Sequence, residues 1–289
     1  MWSLFASLAL SAQAPECDPL PGWEAVAEAS TGKYLVLGET HGSSEAPAAT
    51  AEFVCAVSND GPVLLAIEFS SSSDDAFQRA WAAPPEQFRQ RMFEEVPLWG
   101  KRNDGVASAA MLEMLERLHA LKSAGRLIDI VAFNGAKNDT QRAAFAELPG
   151  QESHEAAQAA NIREAAMAKD YRHVVVLVGN LHASKARTSL SGIEIRPMAM
   201  LLDQAEHVIS LRMGSDGGES WNCVLDQSVQ LKLGQPVTSD MLDCGAHTDP
   251  PTSDGKTRGF HLDQSIYPGA FDGVFALGPI TASPLAEID

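Results

Sequence analysis

The chain predicts an α/β fold: a mainly parallel central sheet with helices on both faces, a helical insertion over the strand ends and an irregular C-terminal cap. Three observations lead there. Short apolar runs recur at Tyr34 to Leu37, Val63 to Ile67, Leu127 to Phe133, His173 to Val178 and Val208 to Met213, and continuous apolar runs of this length read as strands buried on both faces. Helical stretches alternate with these runs, which is the pattern of βαβ units. Right-handed crossovers between parallel strands then leave helices on both sides of the sheet.

In chain order, Pro19-Leu20-Pro21 precedes a short helix from Trp23 to Ala29 and the first strand. Ser44, Glu45 and Pro47 form a helix start, and that helix runs to about Val57, where Asn59-Asp60-Gly61 turns the chain. The second strand ends in Glu68. Segment 70–104, rich in Arg, Phe and Trp and broken by Pro84-Pro85 and Pro97, reads as the insertion, placed as a lid or substrate-facing wall. A helix from about Val106 to Ser123 follows, with Met111, Met114, Leu115, Leu118 and Leu121 on one stripe and Gly125 as its stop. An alanine-rich helix from about Glu155 to Lys169 leads into the fourth strand. From Gly214 the pattern changes to Gly, Asp, Pro and Ser clusters with apolar runs at Val229 to Leu233 and Gly273 to Leu277. We read residues 15–289 as one α/β domain, with 214–289 adding strands or loops to it.

The net charge of −17, from 38 acids against 21 bases, disfavours a nucleic-acid partner and an anionic lipid surface, since both need concentrated Lys and Arg. A cationic or neutral small molecule, or a metal ion, suits such a field better. Residues 1–14 resemble a signal peptide, with an apolar stretch from Trp2 to Leu10 and an Ala12-Gln13-Ala14 triplet, although no Lys or Arg precedes the stretch. No later apolar run is long enough to span a membrane. Export makes disulfides plausible for Cys17, Cys55, Cys223 and Cys244, which contain no C-x-x-C pair. Cys223 with Cys244 and Cys17 with Cys55 are the favoured pairings among three connectivities.

The chemistry concentrates at two strand ends. Gly38-Glu39-Thr40-His41 follows the first strand, and Gly179-Asn180-Leu181-His182 follows the fourth. Glu68 ends the second, and Glu45 is placed to face the same edge from its helix. Carboxyl ends of strands in open α/β sheets are where ligands bind, and neighbouring strands stand about 4.8 Å apart, so these side chains can converge. A glycine at each strand end is expected to allow a sharp turn and a close ligand approach. Imidazole paired with carboxylate makes a general base for water. The same set, His41, Glu68 and His182, could instead hold a divalent metal with an open position. No Gly-x-Ser-x-Gly elbow, P-loop or dinucleotide-binding glycine pattern is present.

The paired Gly-x-x-His motifs resemble those of the superfamily of erythromycin esterase-like proteins, ChaN-like haem-binding lipoproteins, and TraB and Tiki proteins. Arg163-Glu164-Ala165-Ala166-Met167-Ala168 is similar to that group's Arg-acid-x-x-Met-Ala helix, and Asp104-Gly105 with Ser108 and Met111 to the start of its long helix. The resemblance covers roughly residues 34–213. It implies a site of Glu39, His41, Glu68, Arg163 and His182, with His41 as base and Arg163 on a substrate carboxylate or oxyanion, or paired with Glu68. An exported hydrolase of an ester or amide, on a small molecule or peptide, is the expectation. The alternative is a non-catalytic haem- or metal-binding protein using the same histidines, for which the Arg-rich segment 86–104 makes a poor haem wall.

Overall fold

The computed structural model describes residues 16–190, 193–229 and 238–288. The expected signal segment and residues 230–233 of the run beginning at Val229 lie outside them.

Helix α1 (Trp23–Ser30) precedes β1 (Tyr34–Glu39), α2 (Glu45–Val57) and β2 (Val63–Ser70). The insertion folds as α3 (Asp74–Trp81) and α4 (Pro85–Glu95). Next come α5 (Ala109–Ser123), β3 (Ile128–Asn134), α6 (Asp139–Ala144) and α7 (Glu152–Ala166). Strand β4 (His173–Gly179) runs straight into α8 (Asn180–Ala183), followed by β5 (Thr188–Leu190), β6 (Ile193–Ile195) and α9 (Met198–Leu202). The remainder is β7 (Val208–Gly214), the hairpin of β8 (Gly218–Leu225) and β9 (Leu242–Asp249), then β10 (Gly259–Leu262) and β11 (Gly273–Ala276).

The central sheet has seven strands in the order β10-β11-β7-β1-β4-β2-β3. Its neighbours pair in parallel except β10 with β11. The two faces bury different side chains with the period of two that a strand dictates. Leu35, Leu37, Val175, Leu177, Leu65 and Ile67 join α2 and α5 in one core. Val36, Val174, Val176, Leu64 and Ala66 join Ile162 of α7 and Met198 of α9 in the other. Fully buried Phe53 of α2 anchors the first core, and burying such a side chain contributes about 1.5–3 kcal/mol. The C-terminal region extends this sheet, because β11 pairs with β7.

Sequence boundaries needed adjusting where local signals gave way to packing. Strands β1 and β2 continue through Gly38 and Glu68, so both residues lie within strands. Helix α5 begins at Ala109, since Ser108 caps it by accepting from the Met111 amide. Helix α6 was not anticipated from the sequence. Asn138 caps it through the Gln141 amide.

Strand β3 is an edge of the sheet, and α3 lies along it. Asp74 accepts from the Ala132 amide at 2.8 Å, Gln78 donates to the Ile130 carbonyl at 2.7 Å, and the Trp81 indole donates to the Ile128 carbonyl at 3.1 Å. Spacings of four and three residues put the three on one helix face.

Both favoured disulfides form. Cys223–Cys244 joins opposite residues of the β8–β9 hairpin, and Cys17–Cys55 ties the N-terminal segment to α2 across 38 residues. Cross-linking a loop of that length removes about 4 kcal/mol of unfolded-chain entropy. Replacing Cys17 and Cys55 together by Ser is therefore expected to lower unfolding stability by about that amount, as read by denaturant titration.

Candidate functional site

Parallel register brings the motif residues together. Glu39 of β1 stands opposite Gly179 of β4, and β4 lies between β1 and β2. His41 therefore reaches across the end of β4 toward Glu68. Its Nδ1 lies 3.0 Å from Glu39 Oε1 and its Nε2 3.3 Å from Glu68 Oε2. From the other side, His182 in the single turn of α8 places Nε2 3.7 Å from Glu68 Oε1. The His182 Nδ1 is held at 2.8 Å by both oxygens of Glu155, on α7. The result is a chain of alternating acid and imidazole: Glu39, His41, Glu68, His182, Glu155.

The acids are deeply buried, at 3%, 7% and 1% side-chain exposure for Glu39, Glu68 and Glu155, whereas the two imidazoles keep about a fifth of their surface open. Solvent or substrate thus meets the histidines, and the acids work from behind. Glu68 also accepts from the Gly179 amide at 2.8 Å, and Glu155 from the Met198 amide at 2.8 Å. These backbone donors orient both carboxylates.

Burial disfavours charge on every member, and the pairs decide the outcome. For His41, burial works against the proton, but Glu68 and the Glu39 hydrogen bond outweigh it and hold the imidazole well above its ordinary value. His182 is raised against its burial by the Glu155 hydrogen bond and by Glu68. Burial pushes Glu68 up, yet His41, His182 and the Gly179 amide bring it down to about 2. Burial wins at Glu39, whose carboxyl is raised despite His41; its Oε2 has no partner among the described residues.

The motif glycines serve closer packing than the sequence implies. Gly38 remains in the extended strand, where a Cβ would come within 2.6 Å of the Ala183 Cβ of α8; it admits α8, not a ligand. At Gly179 a Cβ would stand 3.1 Å from His41 Nε2 and 3.6 Å from Glu68 Oε2. Here the bare backbone leaves space beside the His41 and His182 rings.

Two expected site residues lie elsewhere. The Arg163 guanidinium donates to the carbonyls of Leu201 and Leu202. It also acts on Tyr34, the first residue of β1, and thus sits at the opposite end of the sheet from Glu39. Its helix runs antiparallel to the strands, so the residue that faces the site lies two turns earlier, at Glu155. Glu45 bonds Thr281, accepting from its amide and hydroxyl at 3.0 and 2.8 Å. It fastens the C-terminal segment to the start of α2.

Three residues near the site carried no strand-end signature. Glu155 was readable only as an acid on the buried stripe it shares with Ala159 and Ile162. His154 lies beside it, its ring 6.2 Å from that of His182. Arg102, from the end of the insertion, donates to the Glu68 carbonyl at 3.3 Å and to Asp104 at 2.8 Å. The insertion thus does reach the strand ends. The β8–β9 hairpin closes on the same region: the Trp221 amide donates to the Gly42 carbonyl at 2.9 Å, and its indole to Asn103 at 2.7 Å.

The donor set suits a divalent cation chemically, because two imidazole Nε2 atoms and one carboxylate converge while outer carboxylates hold both Nδ1 atoms. Among the described residues, however, no three His, Cys, Asp or Glu stand grouped as a metal site. Both Nδ1 atoms are hydrogen-bonded to their outer acids, at 3.0 and 2.8 Å, while the Nε2 atoms stand 3.3 and 3.7 Å from Glu68, at ion-pair distance. Haem fits less well, since both Nε2 atoms point at Glu68 and an axial bond would require breaking that pairing.

No protein-family model matches this chain, and no curated protein matches it in sequence. Among solved structures it is similar to a succinoglycan biosynthesis protein, with a TM-score of 0.62, 10% identity and 93% of each chain covered. It is similar to the erythromycin esterase EreC, captured as a mutant in its open conformation, with a TM-score of 0.55, 11% identity, and 92% of this chain and 95% of that one covered. A protein from Bacillus cereus gives 0.53 at 12% identity over 90% and 91%. At such identities the likeness is one of architecture, and it extends over nearly the whole chain: this protein shares its fold with these three.

Proposed function

We propose that the protein is a hydrolase of esters or amides, exported to the periplasm or the extracellular space, that activates water between His41 and His182. The observation that carries this reading is the shared Glu68, which couples two solvent-reaching imidazoles whose other nitrogens are each fixed by a separate buried acid. Two imidazoles this close to one carboxylate lose their protons in two linked steps. The form with one proton left is the competent one. In its productive arrangement neutral His41 takes a proton from water at Nε2 as the oxygen attacks the carbonyl carbon. Protonated His182 then delivers its proton to the departing alcohol or amine. Export is supported by the two disulfides, which persist in oxidising compartments. No helix among the described residues is long and apolar enough to cross a membrane.

The pH dependence follows from the raised histidines. The doubly protonated pair lacks a base, so kcat/KM rises as the first proton leaves and falls as the second does. With both groups shifted upward, the profile is expected to be a bell lying on the alkaline side of about pH 6.5. A profile already at its plateau below that value would contradict the assignment.

A second reading has its own support in the convergence of both Nε2 atoms on Glu68. A divalent cation held by His41, His182 and Glu68 would polarise a carbonyl and acidify bound water. One experiment addresses both readings: assay a panel of chromogenic esters and amides with the wild type, His41→Ala and His182→Ala, before and after chelation, and measure bound metal. The proton-based reading expects hydrolysis that survives chelation and is lost in both variants. Activity restored only by added zinc or manganese supports the cation, and hydrolysis indifferent to both substitutions sinks the site.

A further inference from the structure

Beside the acid–imidazole chain lies a cavity of about 360 Å³, between α6 and the start of α7, lined by Ala136, Arg142, Phe145, Gln151, Ser153 and His154. Its size falls within the range of small-molecule pockets. It lies near the carboxyl edge of the sheet, because α6 follows the carboxyl end of β3 and because His154, in the cavity wall, has its ring 6.2 Å from that of His182. We propose that this cavity receives the acyl part of the substrate and that Arg142 and His154 select an acyl chain ending in a carboxylate, such as that of a dicarboxylic acid monoester. The proposal rests on the hydrolase reading for the word acyl, and on the cavity alone for the carboxylate.

The lining supports this choice. Gln158 is fully buried, and its amide nitrogen stands 3.0 Å from both Asn134 Oδ1 and His154 Nε2. In this orientation both N–H groups of Gln158 are used and its Oε1 has no partner among the described residues, and the contact fits the His154 tautomer whose ring proton sits on Nδ1. His154 is a neutral donor, consistent with burial lowering its affinity for a second proton. Arg142 is the charged member of the lining. Its partner Asp139 is an exposed residue one helical turn away, and an exposed pair of that kind is worth little, so the guanidinium is free to turn to a ligand. The nearest site acid, Glu155, is already satisfied by His182 and the Met198 amide. Phe145 and Ala136 supply an apolar wall for the methylene spacer.

The test compares two near-isosteric esters, the para-nitrophenyl monoester of glutaric acid and para-nitrophenyl valerate. Wild type is expected to favour the glutarate ester in kcat/KM by at least about tenfold, the scale of one charge-assisted contact. Arg142→Met is expected to bring the two esters within about twofold of each other, chiefly by lowering kcat/KM for the glutarate ester. Ala146→Trp, which fills the cavity from an exposed position, is expected to raise KM for both esters. In parallel, free glutarate and valerate are titrated by calorimetry into wild type, His41→Ala and Arg142→Met. Glutarate binding that is kept in His41→Ala and lost in Arg142→Met supports the subsite even if neither ester is hydrolysed, in which case only the hydrolase reading falls. Equal handling of the two ligands, or a preference that survives Arg142→Met, overturns the subsite while leaving the hydrolase reading standing.

Discussion

Glu68→Ala is expected to lower kcat/KM by about a thousandfold and to move the remaining pH profile toward acid, by the scale of general acid–base effects. Among the described residues, Glu68 is the one acid within ion-pair distance of both imidazoles, and it is the largest favourable influence holding the His41 proton. Without it, buried His41 and His182 lose part of the field that keeps them charged, and the two titrate more independently. Loss of rate alone would fit any damaged site. The displacement of the bell separates Glu68 from a merely structural residue. Thermal stability is expected to respond according to pH. A carboxylate held near 2 stabilises the fold above its unfolded value of about 4.5 and loses that contribution as pH falls through 2. The raised histidines contribute fully below about pH 6.5 and lose their contribution as pH climbs through their folded values. Glu68→Ala should therefore be most destabilising between about pH 4.5 and 6.5 and less so both below about pH 2 and in alkali. Melting curves recorded from acid to alkaline pH check this, and a shift independent of pH would refute it.

Gly179→Ala is expected to cut kcat/KM by about a hundredfold, the scale of a displaced reacting group, with little change in melting temperature. Its backbone, at φ −58° and ψ 144°, is one that alanine adopts freely. The added methyl instead meets the reactive edge: 3.1 Å from His41 Nε2 is tighter than ordinary contact. Water or the substrate carbonyl would have to share that space. Activity equal to wild type would place the reacting atoms elsewhere.

The sheet was legible because buried parallel strands write themselves as short uninterrupted apolar runs rich in β-branched residues, as Val174, Val175, Val176 and Leu177 do. The site was legible where strand ends deliver chemistry, as they do for Glu39, His41, Glu68 and His182. It became illegible where a helix does so. A helix places a residue by its phase and direction, so Glu155 and Arg163, eight residues apart on α7, come to opposite ends of the sheet, and of the two only Arg163 resembled a site group in sequence. Arg102 was harder still, since it reaches the site through tertiary folding of a segment with no periodic signature, and His154 lies on α7 just before the predicted start of that helix. Glu45 shows the converse: its position beside the motif suggested chemistry, and its bonds to Thr281 make it a fastener.

The row of side chains from Asp74, Gln78 and Trp81 along β3 also governs how copies of this protein meet. An uncovered edge strand offers unpaired amides and carbonyls on which a second chain can add a strand, and growth of that kind has no natural end. Here three of those groups on β3 are already taken, and by side chains, which cannot pass the pairing on to a neighbour. On this flank the sheet has a terminus, and self-association by strand addition is closed to it.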